Sequence, residues 1–161
     1  MLKSPALMSA LMLALVATPV MAAPVPVAVV ADPPADVQAP AHMIAFQLPS
    51  EGAMLNAVIY VAAGKGPHPT LLLLHGFPGN EQNLDLAQAA RRAGWNVLTL
   101  HYRGSWGSPG AFSFHHAIED ARNAALYLHD PAFVAKAQID TAQLAVAGHS
   151  MGGMTAARAM A

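Results

Sequence analysis

Residues 145–153 read Ala-Val-Ala-Gly-His-Ser-Met-Gly-Gly, and no other stretch of the chain restricts its backbone as tightly. A run of small apolar residues ends at Gly148, and an alanine-rich segment follows Gly152 and Gly153. The first suits a buried strand and the second a helix. The chain must therefore pass from strand to helix through a very sharp turn with Ser150 at its apex. Only small neighbours fit beside such a turn, and Gly148 and Gly152 provide the room. The turn lifts the Ser150 hydroxyl above the sheet edge, at the amino end of the helix. There the dipole and the unbonded N–H groups favour developing negative charge. A Gly-x-Ser-x-Gly pattern alone is a weak signal; the strand before it and the helix after it give it weight.

The rest of the chain alternates regularly. Residues 43–48 and 55–62 read as strands, and Glu51-Gly52 between them predicts a hairpin turn. After a Gly/Pro loop, the leucines of residues 70–74 form a short apolar run suited to a strand buried on both faces. A helix is expected over residues 80–93, capped by Asn80, with Glu81 in its first turn and Gly94 ending it. Residues 95–101 read as a strand. Ser113 is placed to cap a helix over 114–129, which Asp130-Pro131 stops. Residues 143–147 form a last strand, and a helix starts at Ser150. Two strands followed by strand-helix-strand-helix-strand-helix imply an α/β fold with a mostly parallel sheet and helices on its faces.

Two loops add chemistry. His75-Gly76-Phe77-Pro78-Gly79 follows the leucine strand. Acyl transfer needs two donors aimed at an oxyanion. The N–H of Met151 is one candidate and the N–H of Phe77 the other, since Pro78 has none to give. Gly76 lets the backbone come close, and His75 reads as a brace for the loop. The second loop, Tyr102-Arg103-Gly104-Ser105-Trp106-Gly107-Ser108-Pro109-Gly110, lies at the carboxyl end of its strand, where sites form in open α/β sheets. Arg103 suits pairing with an acid. Tyr102 and Trp106 are weaker candidates for a substrate pocket, and simple packing of the Trp is the stronger expectation.

His-Gly-Phe-Pro, Tyr-Arg-Gly-Ser-Trp-Gly-Ser and Gly-His-Ser-Met-Gly-Gly together resemble the α/β-hydrolase superfamily over roughly residues 55–161. Within it they look most like prolyl-oligopeptidase-type and serine-aminopeptidase-type hydrolases, with esterases and lipases sharing most of the pattern. The resemblance implies Ser150 as nucleophile, a small-molecule ester, amide or peptide as substrate, and no cofactor or metal. It also implies that the triad acid and histidine follow the nucleophile in the chain. Residues 151–161 contain no Asp, Glu or His. The chain is therefore expected to be the N-terminal half of such a domain, residues 42–161, truncated after the elbow and inactive alone. It would expose its last strand as an apolar edge and fold poorly by itself. The alternatives are a non-catalytic fragment and a binding module that kept the fold. His101, His115 and His116 are upstream histidines, each better explained as a strand-end or helix-start residue than as a substitute base.

At the amino end, Lys3, an uncharged apolar run over 6–17 and small residues before Ala22 and Ala23 read as a signal peptide over 1–22. Export to the periplasm or the exterior follows. Residues 23–41 carry five prolines and read as an extended linker. The chain has no cysteine, which removes disulfides, thiolate metal sites, a lipidated cysteine as stable membrane anchor, and cysteine-nucleophile hydrolase chemistry. A net charge of -1 without a basic stripe gives no reason to expect nucleic acid. The eight histidines show no metal-ligand spacing. Oligomeric state is not legible.

Overall fold

The computed structural model describes residues 23–80 and 82–161. The expected signal peptide and the expected first-turn role of Glu81 lie outside the described residues. Five strands form one sheet in the order β1-β2-β4-β3-β5. β1 (His42–Ser50) and β2 (Ala53–Val61) form the expected hairpin. Its two-residue turn takes Glu51 to φ 46° and Gly52 to φ 78°, the left-handed pair whose twist matches that of the flanking strands. β2 pairs antiparallel with β4 (Asn96–Leu100), whereas β3 (His68–Leu74) pairs parallel with β4 and with β5 (Ile139–Gly148). The sheet is thus mixed: its parallel part is the β4-β3-β5 core that carries the three loops of interest.

The leucines of β3 show why that strand is central. Leu72 and Leu74 face one core, and Leu73 with its half-buried neighbour Leu71 faces the other. The first core is covered by α3 (Phe114–Tyr127), α4 (Pro131–Ala137) and α5 (Met151–Ala159), the second by α2 (Leu84–Arg92). Burial of Leu72, Leu73 and Leu74, and part of Leu71, takes apolar surface on both faces of the strand out of water, which favours the folded chain. Ser113 caps α3 by accepting the N–H of His116 at 3.0 Å.

Several elements depart from the sequence reading. α2 starts at Leu84, four residues after Asn80, because Asn83 adopts φ 55° and ψ 45°. A left-handed residue cannot continue a right-handed helix. α4 was not expected: Asp130-Pro131 ends α3 and also starts α4, with Asp130 accepting the N–H of Phe133 at 2.8 Å and Pro131 in the first turn. Phe133 then packs against both Phe46 and Tyr127, with ring centroids 4.7 and 4.8 Å away. Finally, the proline-rich segment is not extended throughout. Residues Val27–Val30 make one helical turn, α1, and Asp32 pairs with Arg91 and Arg92 at 3.2 and 2.8 Å. β5 lies at the edge of the sheet, with only β3 beside it among the described residues.

Candidate active site

Ser150 stands between the end of β5 and the start of α5 with φ 55° and ψ -121°. A non-glycine residue in that region costs about 1–3 kcal/mol, and such strain persists only where its surroundings enforce it. The enforcement is visible in the neighbours. A Cβ on Gly148 would strike the backbone of Gly152, and a Cβ on Gly152 would strike the carbonyl of Leu74. The His149 N–H donates to Leu74 O at 3.3 Å and the Gly152 N–H to His149 O at 2.8 Å, tying the elbow to the end of β3. The Ser150 side chain is exposed and, among the described residues, has no hydrogen-bond partner.

The loop after β3 comes directly against this turn. A Cβ on Gly76 would lie 3.2 Å from Ser150 Cβ and 3.2 Å from His149 O, so glycine is what allows the approach. The N–H groups of Phe77 and Met151 have no acceptor among the described residues. Two unused amides, one on the loop beside the serine and one at the first residue of α5, are the donor set an oxyanion requires.

His75 sits beneath that loop, buried, with its ring 4.5 Å from that of Tyr102 and 5.6 Å from that of His101. Its Nδ1–H donates to Gly76 O at 2.7 Å, which leaves Nε2 as a buried lone pair without a partner among the described residues. Burial pushes the His75 imidazole below its ordinary pKa, and the bond to Gly76 offsets this only in part. His101 is lowered too, by burial first and by the neighbouring His75 second. Both rings therefore bind protons less readily folded than unfolded. Stability is complete above the unfolded value of 6.5 and falls as pH drops below it, toward the lower folded values. We expect the urea midpoint to fall between about pH 7.5 and about pH 5.5, and His75→Asn to shrink that fall without removing it. An equal fall in native protein and variant would contradict the role given to His75.

Tyr102 is not a pocket residue. It is fully buried and its hydroxyl donates to His75 O at 3.2 Å, so it supports the loop from below. Burial pushes its phenol well above the ordinary value. Trp106 is half exposed, at φ 44°, and its indole N–H donates to Pro78 O at 2.8 Å. The indole thereby joins the post-β4 loop to the segment carrying Phe77. Trp106→Phe keeps the ring and removes the donor; it should lower stability by about 0.5–1.5 kcal/mol. If the hydrogen bond holds Phe77 in place, kcat falls severalfold while KM is nearly unchanged. A change in KM alone would count against that positioning role.

The post-β4 loop is itself anchored by Asp120, fully buried on α3. Asp120 accepts from the Arg103 backbone N–H at 2.8 Å, from Arg103 Nε at 2.7 Å and from Ser50 Oγ at 2.6 Å. The same guanidinium reaches Glu119 at 2.5 Å, which together with Arg103's charge holds that carboxyl below the usual range. The acid expected for Arg103 is thus a pair on one helix. His115 and His116 are occupied nearby: His116 Nδ1 faces Ala111 O at 2.8 Å and His115 lies 3.4 Å from Glu119. His101 contacts the Gln82 amide at 3.2 Å. None of the three hydrogen-bonds Ser150. Among the described residues no group of three or more His, Asp and Glu side chains is placed to hold a metal ion.

One feature escaped the sequence reading. Phe112 and Phe114 gather with Phe77, with centroids 5.4 and 6.5 Å from the Phe77 ring and 5.8 Å from each other. Nothing in their spacing in the sequence links residues 77, 112 and 114; the parallel strands bring the two loops together.

A mixed sheet with a strained serine between strand and helix, flanked by two unused amides, defines an α/β hydrolase. The alpha/beta hydrolase fold family profile matches residues 69–161, and the chain belongs to that family. Among solved structures, an esterase from the archaeon Pyrobaculum calidifontis is 26% identical, covering 74% of this chain and 39% of its own, with a TM-score of 0.58. EstE1, a carboxylesterase cloned from a metagenomic library, is 25% identical over 75% of this chain and 41% of its own, with a TM-score of 0.55. The bacterial brefeldin A esterase shares the fold at 21% identity and a TM-score of 0.59, covering 73% of this chain and 34% of its own. The chain thus spans 34–39% of the first solved structures it matches. No curated protein sequence matches it.

Proposed function

We propose that the protein is an exported serine hydrolase that cleaves an ester or amide through an acyl-enzyme on Ser150. The observation that carries this reading is the enforced backbone of Ser150, at φ 55° and ψ -121°, beside two amides without acceptors among the described residues. Ser150 Oγ attacks the carbonyl carbon, and the carbonyl oxygen, now negative, takes the N–H groups of Phe77 and Met151. A histidine base removes the hydroxyl proton and returns it to the leaving group; an acid orients that histidine. No imidazole among the described residues bonds to Ser150, so neither role is given to one of them. Water then releases the acyl group by the same route.

An ester is favoured over a peptide, since the similar structures at 25–26% identity are esterases by name. The test is hydrolysis of short p-nitrophenyl esters by the full-length protein. A burst of nitrophenol followed by steady turnover is expected. Turnover of neither esters nor aminoacyl anilides by folded protein would overturn the reading. The charged start and apolar run of residues 1–17 support export. Export predicts a mature amino terminus near Ala23 in the periplasm or medium; retention of Met1 in the cytoplasm would overturn it.

A further inference from the structure

The rings of Phe77, Phe112 and Phe114 form an aromatic surface continuous with the candidate oxyanion site. Resting on the hydrolase reading, we infer that this surface receives an apolar, aryl-bearing substituent of the substrate, on the carbon or the oxygen attached to the reacting carbonyl. Phe77 contributes to both: its N–H is a candidate oxyanion donor and its ring opens the surface. Phe77 is 63% exposed and Phe114 57% exposed, although both are large apolar side chains. Exposed aromatics gathered at one place mark a contact surface, unlike single apolar residues scattered over a protein. The rings are tilted by 40° and 43° to Phe77 and by 69° to each other, so they leave ring faces and edges for a further aromatic group to meet.

Their place in the fold points the same way. Phe112 and Phe114 lie at the start of α3, after β4, and Ser150 lies at the start of α5, after β5; parallel strands put both starts at one sheet edge. Gly76, next to Phe77, comes within 3.2 Å of Ser150 Cβ if given a Cβ. A substituent next to a carbonyl held by Ser150 and Phe77 N–H therefore starts at the edge of the aromatic surface. Trp106 does not compete for this role. Its indole is engaged with Pro78 O, and it borders a separate polar cleft of about 660 Å³ with Gln82 and His101.

The test compares native full-length protein with Phe114→Ala in two arms. One fixes p-nitrophenol as leaving group and compares acetyl with 3-phenylpropionyl esters. The other fixes acetate and compares methyl with benzyl esters. The native protein is expected to favour the aryl substrate in at least one arm, and Phe114→Ala to reduce kcat/KM for that substrate roughly tenfold while sparing its small counterpart. The affected arm identifies the side of the carbonyl that the rings receive. Equal effects on small and aryl substrates, or none, would overturn the inference. So would a clear drop in melting temperature with unchanged preference, which would mean that the rings pack against another part of the protein.

A binding measurement separates this inference from the hydrolase reading. In Ser150→Ala protein, saturation-transfer NMR should show contact with 3-phenylpropionate or benzyl alcohol that Phe114→Ala weakens. If no ester is turned over but this contact appears, the hydrolase reading fails and the aryl surface stands. Absence of the contact in folded protein overturns the inference even where esters are hydrolysed.

Discussion

Replacing Ser150 with alanine is expected to lower kcat by on the order of 10⁶, the scale seen when a nucleophile is removed from a complete serine triad. The fold should survive, because alanine keeps the Cβ and its φ of 55°. Ser150→Gly separates the two consequences of the elbow. It is equally inactive, yet it relieves the strain of a left-handed Cβ and should be more stable than Ser150→Ala by about 1 kcal/mol. Measuring turnover and urea midpoints for both variants checks this. Equal stability of the two would mean that the elbow stores no strain at Ser150.

The largest expected loss of stability comes from Asp120→Ala. The variant leaves Arg103, 7% exposed, without its buried partner and removes the acceptor for Ser50 Oγ and for the Arg103 N–H. Breaking a buried ion pair from one side costs about 3–5 kcal/mol, because the remaining charge stays desolvated. Glu119 remains to meet the guanidinium, but it is partly exposed and on the far side of the fork. The effect should reach the site as well, since Arg103 begins the loop whose Trp106 holds Pro78. A melting curve for Asp120→Ala close to that of the native protein would show that the Glu119 pair alone suffices.

The residues that were legible in the sequence are those whose constraint is local. The elbow was legible because glycines two positions to either side of a serine leave the backbone little choice. The β1-β2 hairpin was legible in Glu51-Gly52, and the start of α3 in Ser113. What escaped depends on contacts between distant segments. The start of α2 moved to Leu84 because Asn83 turns left-handed just after Gln82 reaches His101 across the loop. β5 runs from Ile139 rather than residue 143, and Ile139 already pairs with His68 at the start of β3. A mostly parallel sheet was expected, but the β1-β2 hairpin adds two antiparallel pairings on one side. Asp120 sits among Ala117, Ala121 and Ala124 on the buried face of α3, and no local pattern in the sequence singled it out. Arg103, from seventeen positions earlier, explains it. Tyr102 and Trp106 were weaker pocket candidates, with packing the stronger expectation for the Trp; Tyr102 is sealed in the core, Trp106 is tied to Pro78, and Phe77 and Phe114 are the exposed aromatics, with Phe112 half-buried beside them.

Ser150 remains the residue on which the account turns. The most direct test is to expose the full-length protein to a fluorophosphonate, digest it and map the adduct by mass spectrometry. One phosphonyl group is expected on the peptide containing Ser150, absent in Ser150→Ala and absent from the peptides containing Ser105, Ser108 and Ser113. An adduct on another serine, or none on folded protein that hydrolyses esters, would contradict it.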